Sequence, residues 1–517
     1  MKPTHSISKS PKFSNLTQEQ GRAIISPARS VKVVAPAGSG KTTLMTGYAA
    51  ARKDSKGLYL AFGKPTQESA HAKLKSLGVN TEARTQHSLA WQGFGSVLSK
   101  AGKLESRTGL RAAVTANLLG VNYGIASAIN KTLGNYMNVP DEILDSRHLP
   151  DVEEYPVVKS SEGVVIEGAR RLWQRMTDPA DVDAQATDDV YLKQWIMTKP
   201  VLPYEFILFD ECQDANQLTA HLVNMQKHCT RVYVGDPHQA IFGFRGAVNL
   251  MDELEAEVNL ALTASFRFTP NIAKLASTFL QHWKGSKTPI IGKGVGGPIL
   301  KSDTTAYLAR TVAGLIAKGF ELQTKGAKIH WVKGFEDYRV NPILEAHSLF
   351  NGNKMDIKDP VLKLMQSWTQ FQDYVESTGD GEAGPVLRLI DAYKNETPSI
   401  IHDLKHNQVR KESEAQVVLT TQHKSKGLEW PIVRLIDDHF SFKDDKGTWK
   451  SPKKIEEQEA NLMYVALTRA QKAIAPPKQI IEWFRQQPDT KHLFEEKPQV
   501  PENKQQDAAT ESAPKAA

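Results

Sequence analysis

Short runs of consecutive apolar residues alternate along the chain with longer stretches whose apolar positions recur every three or four residues. The runs fall at residues 31–35, 58–62, 206–210, 231–235, 258–262, 328–332, 416–421 and 432–437. Strands covered by helices on both faces read as continuous apolar runs, so this pattern predicts an α/β protein with parallel sheets. Between Trp91 and Met197 the short runs vanish and helical spacing takes over, and the same happens between Gly334 and Val409. The chain therefore divides into a first α/β domain at 15–90 plus 198–262, a helical insertion at 91–197, a second α/β domain at 263–333 plus 410–485, and a small insertion at 334–409. Residues 1–14 read as a disordered N-terminal tail. From about Glu495 onward the sequence is Pro, Gln, Ala and charge, and the segment 486–517 is assigned to a disordered C-terminal tail.

Composition narrows the class. The 517 residues carry only two cysteines, Cys212 and Cys229, and neither a disulfide framework nor a zinc site of Cys₄ or Cys₂His₂ type is supported. No run of about eighteen apolar residues exists and residues 1–14 lack an apolar core, so neither a membrane span nor a secretion signal is expected. A cytoplasmic location is expected, nucleoid-associated if the source is prokaryotic. The formal net charge of +7 is compatible with a polyanionic partner. Residues 336–405 hold twelve Asp and Glu against seven Lys and Arg, which makes the second insertion a poor polyanion surface and points to a regulatory or partner-facing role.

Two local motifs carry chemistry. Directly after the first apolar run comes Ala35-Pro36-Ala37-Gly38-Ser39-Gly40-Lys41-Thr42. A phosphate-binding loop needs small residues so that successive N–H groups turn inward, a lysine for the β/γ oxygens, and a hydroxyl for Mg²⁺; Gly38, Ser39, Gly40, Lys41 and Thr42 supply these. Ala35 replaces the first glycine of the general pattern and Pro36 stiffens the opening turn. The third apolar run ends in Asp210-Glu211-Cys212-Gln213-Asp214. An aspartate at a strand tip can hold Mg²⁺, and the neighbouring carboxylate can activate the attacking water, so Asp210 and Glu211 are placed for ATP hydrolysis.

Six further blocks, in order, resemble the motifs of superfamily 1 DNA helicases of the UvrD/Rep family. They are residues 16–20, 61–64, 234–239 running on to 242–247, 264–268, 421–430 and 461–470, and the similarity spans roughly 15–475. The wording of Gly235-Asp236-Pro237-His238-Gln239, Ser265-Phe266-Arg267-Phe268 and Asn461-Leu462-Met463-Tyr464-Val465-Ala466 is most similar to the helicase core of F-box DNA helicases. No F-box segment precedes the core in these residues, so a ubiquitin-ligase role is not expected.

The resemblance implies two RecA-like P-loop NTPase motor domains using ATP and Mg²⁺. It further implies that Gln20 reads the adenine edge, Phe266 stacks on the base, Gln239 senses the γ-phosphate, Glu429 approaches the ribose, and Arg267 and Arg469 act as arginine fingers from the second motor domain. Ala37, Thr43 and Gly427 join the nucleotide-binding set. Phe62, Lys64, His87, Phe242, Phe244, Arg245 and His423 match positions that meet DNA. Phe244 stands where relatives often have tryptophan, and Gln86 where they usually have phenylalanine.

The leading expectation is an ATP-dependent DNA helicase and single-strand translocase, moving 3′ to 5′ as its relatives do, on single-stranded and tailed duplex DNA in repair or recombination. The rival is a DNA-stimulated ATPase serving as motor subunit of a recombination, mobile-element or defence complex, with a protein partner at 334–409 or the C-terminal tail. That rival rests on the acid-leaning second insertion and on the short stretch between Arg267 and Thr420. A nuclease has no support, because no second cluster of paired carboxylates with a lysine stands out.

Overall fold

The computed structural model describes residues 16–104, 111–243, 249–300, 302–338, 340–355, 357–378, 383–438, 441–444 and 446–494. The N-terminal tail at 1–14, the tail beyond Phe494, and the DNA-contact candidates Phe244 and Arg245 lie outside these residues.

Two parallel sheets form the frame. The first comprises β1 (Ser30–Val34), β2 (Gly57–Ala61), β3 (Thr81–Thr85), β4 (Phe206–Phe209), β5 (Thr230–Gly235) and β6 (Val258–Ala261), in the order β3-β2-β4-β5-β1-β6. A short pair, β7 (Ala264–Ser265) with β8 (Ile291–Gly292), follows it. The second sheet contains β9 (Thr305–Ala309), β10 (Ile329–Trp331), β11 (Val417–Thr421), β12 (Trp430–Leu435) and β13 (Ala470–Ala475), in the order β10-β11-β9-β12-β13. All eight expected strands are present, each within two residues or so of its apolar run. Three sheet strands were not legible as runs: β3, β9 and β13 read Thr-Glu-Ala-Arg-Thr, Thr-Ala-Tyr-Leu-Ala and Ala-Gln-Lys-Ala-Ile-Ala. β3 and β13 are sheet edges with less apolar area to bury, and β9, though central, is built largely of alanine and threonine.

The alternation of side chains across β2 and β4 decides what reaches the loop after β1. Leu58, Leu60, Ile207 and Phe209 enter a core shared with the first insertion. Tyr59, Ala61, Phe206 and Leu208 enter the core on the opposite face, with α1 (Gln18–Ile25) and α2 (Lys41–Ala50). The period of two then carries Asp210, the residue after β4, to the Tyr59 face.

The described residues within 91–197 and 334–409 are helical apart from their connections. They meet each other. Ala112, Ala113, Ala116 and Ala126 share a core with Val361, Leu362, Met365 and Phe371. Tyr123 stands edge-on to Tyr374 with ring centres 5.3 Å apart, and the Arg111 guanidinium lies 3.0 Å from Asp359. One face of the acidic insertion is thus occupied within the chain. The expected disorder from residue 486 is corrected for 487–494: Phe494 stacks on Phe484 at 5.8 Å, and the Thr490 hydroxyl donates to the Phe484 carbonyl.

Candidate active site

The loop between β1 and α2 takes the conformation its glycines permit. Gly38 and Gly40 have φ of 73° and 80°, the left-handed region that costs an L-residue about 1–2 kcal/mol. Lys41 then opens α2, so the loop's amides sit at a helix N-terminus, the arrangement that favours phosphate. Gln20 is pinned against this loop. Thr17 and Gln20 cap α1 reciprocally, and Gln20 Nε2 donates to the Ser39 carbonyl at 3.1 Å. Ser39 Oγ is buried with no hydrogen-bond partner, the kind of orphan a bound oxyanion satisfies.

The acidic turn lies opposite. Lys41 Nζ is 3.3 Å from Glu211 Oε1. Glu211 has φ of 51°, a strained conformation for a residue with a side chain, held by Gln213 Nε2 on its other oxygen at 2.5 Å. Asp210 is 3% exposed; its Oδ1 accepts the Glu211 amide and its Oδ2 accepts the Tyr59 hydroxyl at 2.6 Å. Burial and the Glu211 charge push the Asp210 carboxyl up, whereas Lys41 and Lys426 hold Glu211 down despite its burial. The donors present, the Thr42 hydroxyl, the Asp210 carboxylate and the Lys41 ammonium, fit a magnesium nucleotide.

The second sheet's segments close over the same loop. Ser265 Oγ donates to the Ala37 carbonyl at 2.7 Å, the Phe266 amide to the Gly38 carbonyl at 2.8 Å, and Tyr464 Oη accepts the Ala37 amide at 3.4 Å. Phe266 is 48% exposed, with a face available for stacking. Arg469 is fully buried; its Nη2 lies 3.5 Å from Gln239 Oε1 while its Nε donates to the Val465 carbonyl. Burial and the neighbouring Arg267 push it down to about 9, still protonated at neutral pH. Arg267 Nε donates to Glu429 Oε2 at 2.5 Å, and Gln471 holds the other Glu429 oxygen. Gln239 donates to Asp236 Oδ2 at 2.6 Å. Gly427 has φ of 86° and follows Lys426, which pairs with Asp214 and donates to the Gln239 carbonyl at 2.5 Å. Thr43 is exposed on the first turn of α2.

The structure thus brings Gln20, Ala37 to Thr42, Asp210, Glu211, Gln239, Phe266, Arg267, Glu429 and Arg469 to one cleft between the sheets. The DNA-contact candidates are more scattered. Phe62 and Phe242 stack on each other, ring centres 5.6 Å apart and 15° between planes, with Lys426 Nζ 5.2 Å from the Phe242 ring. His87 pairs with Asp189 at 3.3 Å, and Lys64 is exposed near Glu68. His423 lies half-buried in the loop after β11. Gln86 is engaged by the Thr219 hydroxyl. Sequence reasoning assigned no role to Tyr59, Gln213, Asp236, Ser265, Lys426 or Tyr464. Gln213, Asp236, Ser265, Lys426 and Tyr464 lie inside motif blocks quoted from the sequence, and Tyr59 is the one hydroxyl in an otherwise apolar run.

Comparison with known proteins agrees with this geometry. The UvrD/REP helicase N-terminal domain model matches residues 174–257, and the UvrD-like helicase C-terminal domain model matches residues 364–475. F-box DNA helicase 1 of Gallus gallus is 29% identical over 496 residues, covering 89% of this chain and 48% of the relative. F-box DNA helicase protein 1 of Schizosaccharomyces pombe (strain 972) is 29% identical over 520 residues, covering 90% and 57%. A probable DNA helicase II homolog of Mycoplasma capricolum is 24% identical over 155 residues, covering 27% of this chain and 20% of that protein. The chain spans about half the length of the first two relatives.

Proposed function

Because the chain is of the UvrD/Rep type of superfamily 1, with both halves of that family's core matched, we propose that it is an ATP-dependent DNA helicase that translocates along single-stranded DNA, 3′ to 5′, inside the cell. The observation that carries this reading is the loop at Ala37 and Gly38, grasped by Ser265, Phe266 and Tyr464 from the other half of the protein. Any change at the loop's phosphate positions alters how the halves meet, which is what a stepping motor requires. Magnesium ATP supplies the scissile phosphoanhydride and the cation that screens its charge. Around it, Lys41 and the loop amides hold phosphate oxygens, Glu211 orients water and takes its proton, Arg267 and Arg469 meet developing charge, and Phe266 and Gln20 hold the base.

Arg267 pairs with Glu429 and Lys41 with Glu211 in the same cleft, so each cation lies within reach of the phosphate positions. The rings of Phe62 and Phe242 are aromatic elements of the kind that stack on bases, an interaction worth about 1–3 kcal/mol per base without sequence preference.

The test is steady-state ATPase with and without single-stranded DNA, alongside unwinding of duplexes with 3′ or 5′ tails, with Glu211→Gln as the blank. Stimulation with unwinding from 3′ tails alone is expected. Unwinding from 5′ tails overturns the polarity, and DNA-independent turnover overturns the motor. Stimulation without unwinding favours a motor subunit whose partner must be sought.

A further inference from the structure

Tyr59 is fully buried in the middle of β2, yet its hydroxyl is at the heart of the acidic site. The strand register explains this. Tyr59 pairs with Leu208 of β4, and the Asp210 amide continues the ladder by donating to the Leu60 carbonyl at 3.0 Å. Tyr59 and Asp210 therefore leave adjacent strands on the same face, toward α2. The phenol reaches along that face until its oxygen is 2.6 Å from Asp210 Oδ2. One hydroxyl from the neighbouring strand thus holds the carboxylate that the sequence assigns to Mg²⁺.

We propose that Tyr59 is a positioning residue for the cation: it fixes the rotamer of Asp210 so that the carboxylate faces the metal position beside the phosphate loop. This rests on the reading of the cleft as a magnesium-nucleotide site. The Asp210 carboxylate has each oxygen committed to one donor, the Glu211 amide on Oδ1 and Tyr59 on Oδ2. Without the phenol, Oδ2 of a nearly fully buried carboxylate has no protein donor, and the side chain is free to turn about its Cα–Cβ bond. Outer partners that orient metal ligands in this way are commonly worth about 10- to 100-fold in metal affinity. Packing alone does not require the hydroxyl, because the ring already fills its place among Phe206, Leu208 and Tyr48.

The experiment uses the full chain and the variant Tyr59→Phe, which keeps the ring. Binding of a fluorescent ATP analogue is titrated with Mg²⁺, and Mn²⁺ binding in the presence of ATP is followed by its paramagnetic resonance signal. The expected result is a half-saturating cation concentration raised about 10-fold or more. Cation-free nucleotide binding and the melting temperature stay near those of the parent. An unchanged or tightened cation requirement overturns the proposal. If Tyr59→Phe does not fold, Tyr59→Leu, which also removes the hydroxyl and keeps an apolar side chain on this face of β2, takes its place: an unchanged Mn²⁺ affinity in that variant overturns the proposal. Absence of any cation-dependent nucleotide binding in the parent protein would instead defeat the reading of the site itself.

Discussion

Replacing Lys426 with methionine removes the ammonium that ties the loop after β11 to the acidic turn after β4. Lys426 Nζ pairs with Asp214, whose side chain is 1% exposed, and also donates to the Gln239 carbonyl. Burial pushes the Asp214 carboxyl up to about 6 even with Lys426 present to oppose it. Its pKa in the docked protein is therefore above the unpartnered value of 3.8, so docking is favoured by protonation and weakens as pH rises from about 4 to 6. Without Lys426, burial and the Glu211 charge remain and the pKa climbs further. Below pH 6 both proteins hold Asp214 neutral, and the substitution removes only a hydrogen bond to a carbonyl, about 1 kcal/mol. Above pH 6 the variant must keep the proton where the parent releases it, at about 1.4 kcal/mol per unit, which gives roughly 2–3 kcal/mol more at pH 8.

The pair bridges the two halves, so the readout is their docking. Energy transfer between dyes on Ser76→Cys and Arg485→Cys, both exposed positions, reports it. The native thiols Cys212 and Cys229 are buried. Transfer in Lys426→Met should fall between pH 6 and pH 8 while the parent changes little, and Asp214→Asn in the same chain should restore it. A loss equal at both pH values, or no rescue by Asn, would refute the reasoning.

Gly38→Ala and Gly40→Ala share the backbone cost of a left-handed alanine, about 1–2 kcal/mol. They meet different neighbours: a Cβ at Gly38 lands on Arg267 Cβ and 2.6 Å from Ser265 Oγ, whereas one at Gly40 meets only the end of Gln20, at 2.7 Å. Energy transfer between the halves should drop for Gly38→Ala alone, and equal drops would refute the cross-cleft grip. The Cys212 thiol, pushed well up by burial with the nearby carboxylates adding to it, should resist iodoacetamide at pH 8 in the native protein and react on denaturation; native labelling at the denatured rate would contradict its burial.

The apolar runs at 31–35 and 206–210 and the residues after them determined, without any tertiary information, that a glycine loop and a carboxylate pair sit at strand tips. These are local matters: two left-handed glycines, one lysine at a helix start and a period of two need no distant partner. The alternation of runs and helical stretches likewise showed two parallel sheets and two helical insertions. It missed β9, whose Thr-Ala-Tyr-Leu-Ala owes its central place to neighbours on both sides rather than to its own hydrophobicity. Only the tertiary structure decided that Tyr59 touches Asp210, that Lys426 pairs with Asp214, and that Phe62 lies against Phe242. Each of these joins residues far apart in the chain, and the partner is set by strand order and by how the two sheets face each other. A sequence states which side chains can donate, accept or stack; the register of β2 on β4 and the closure of one half over the other choose the partner.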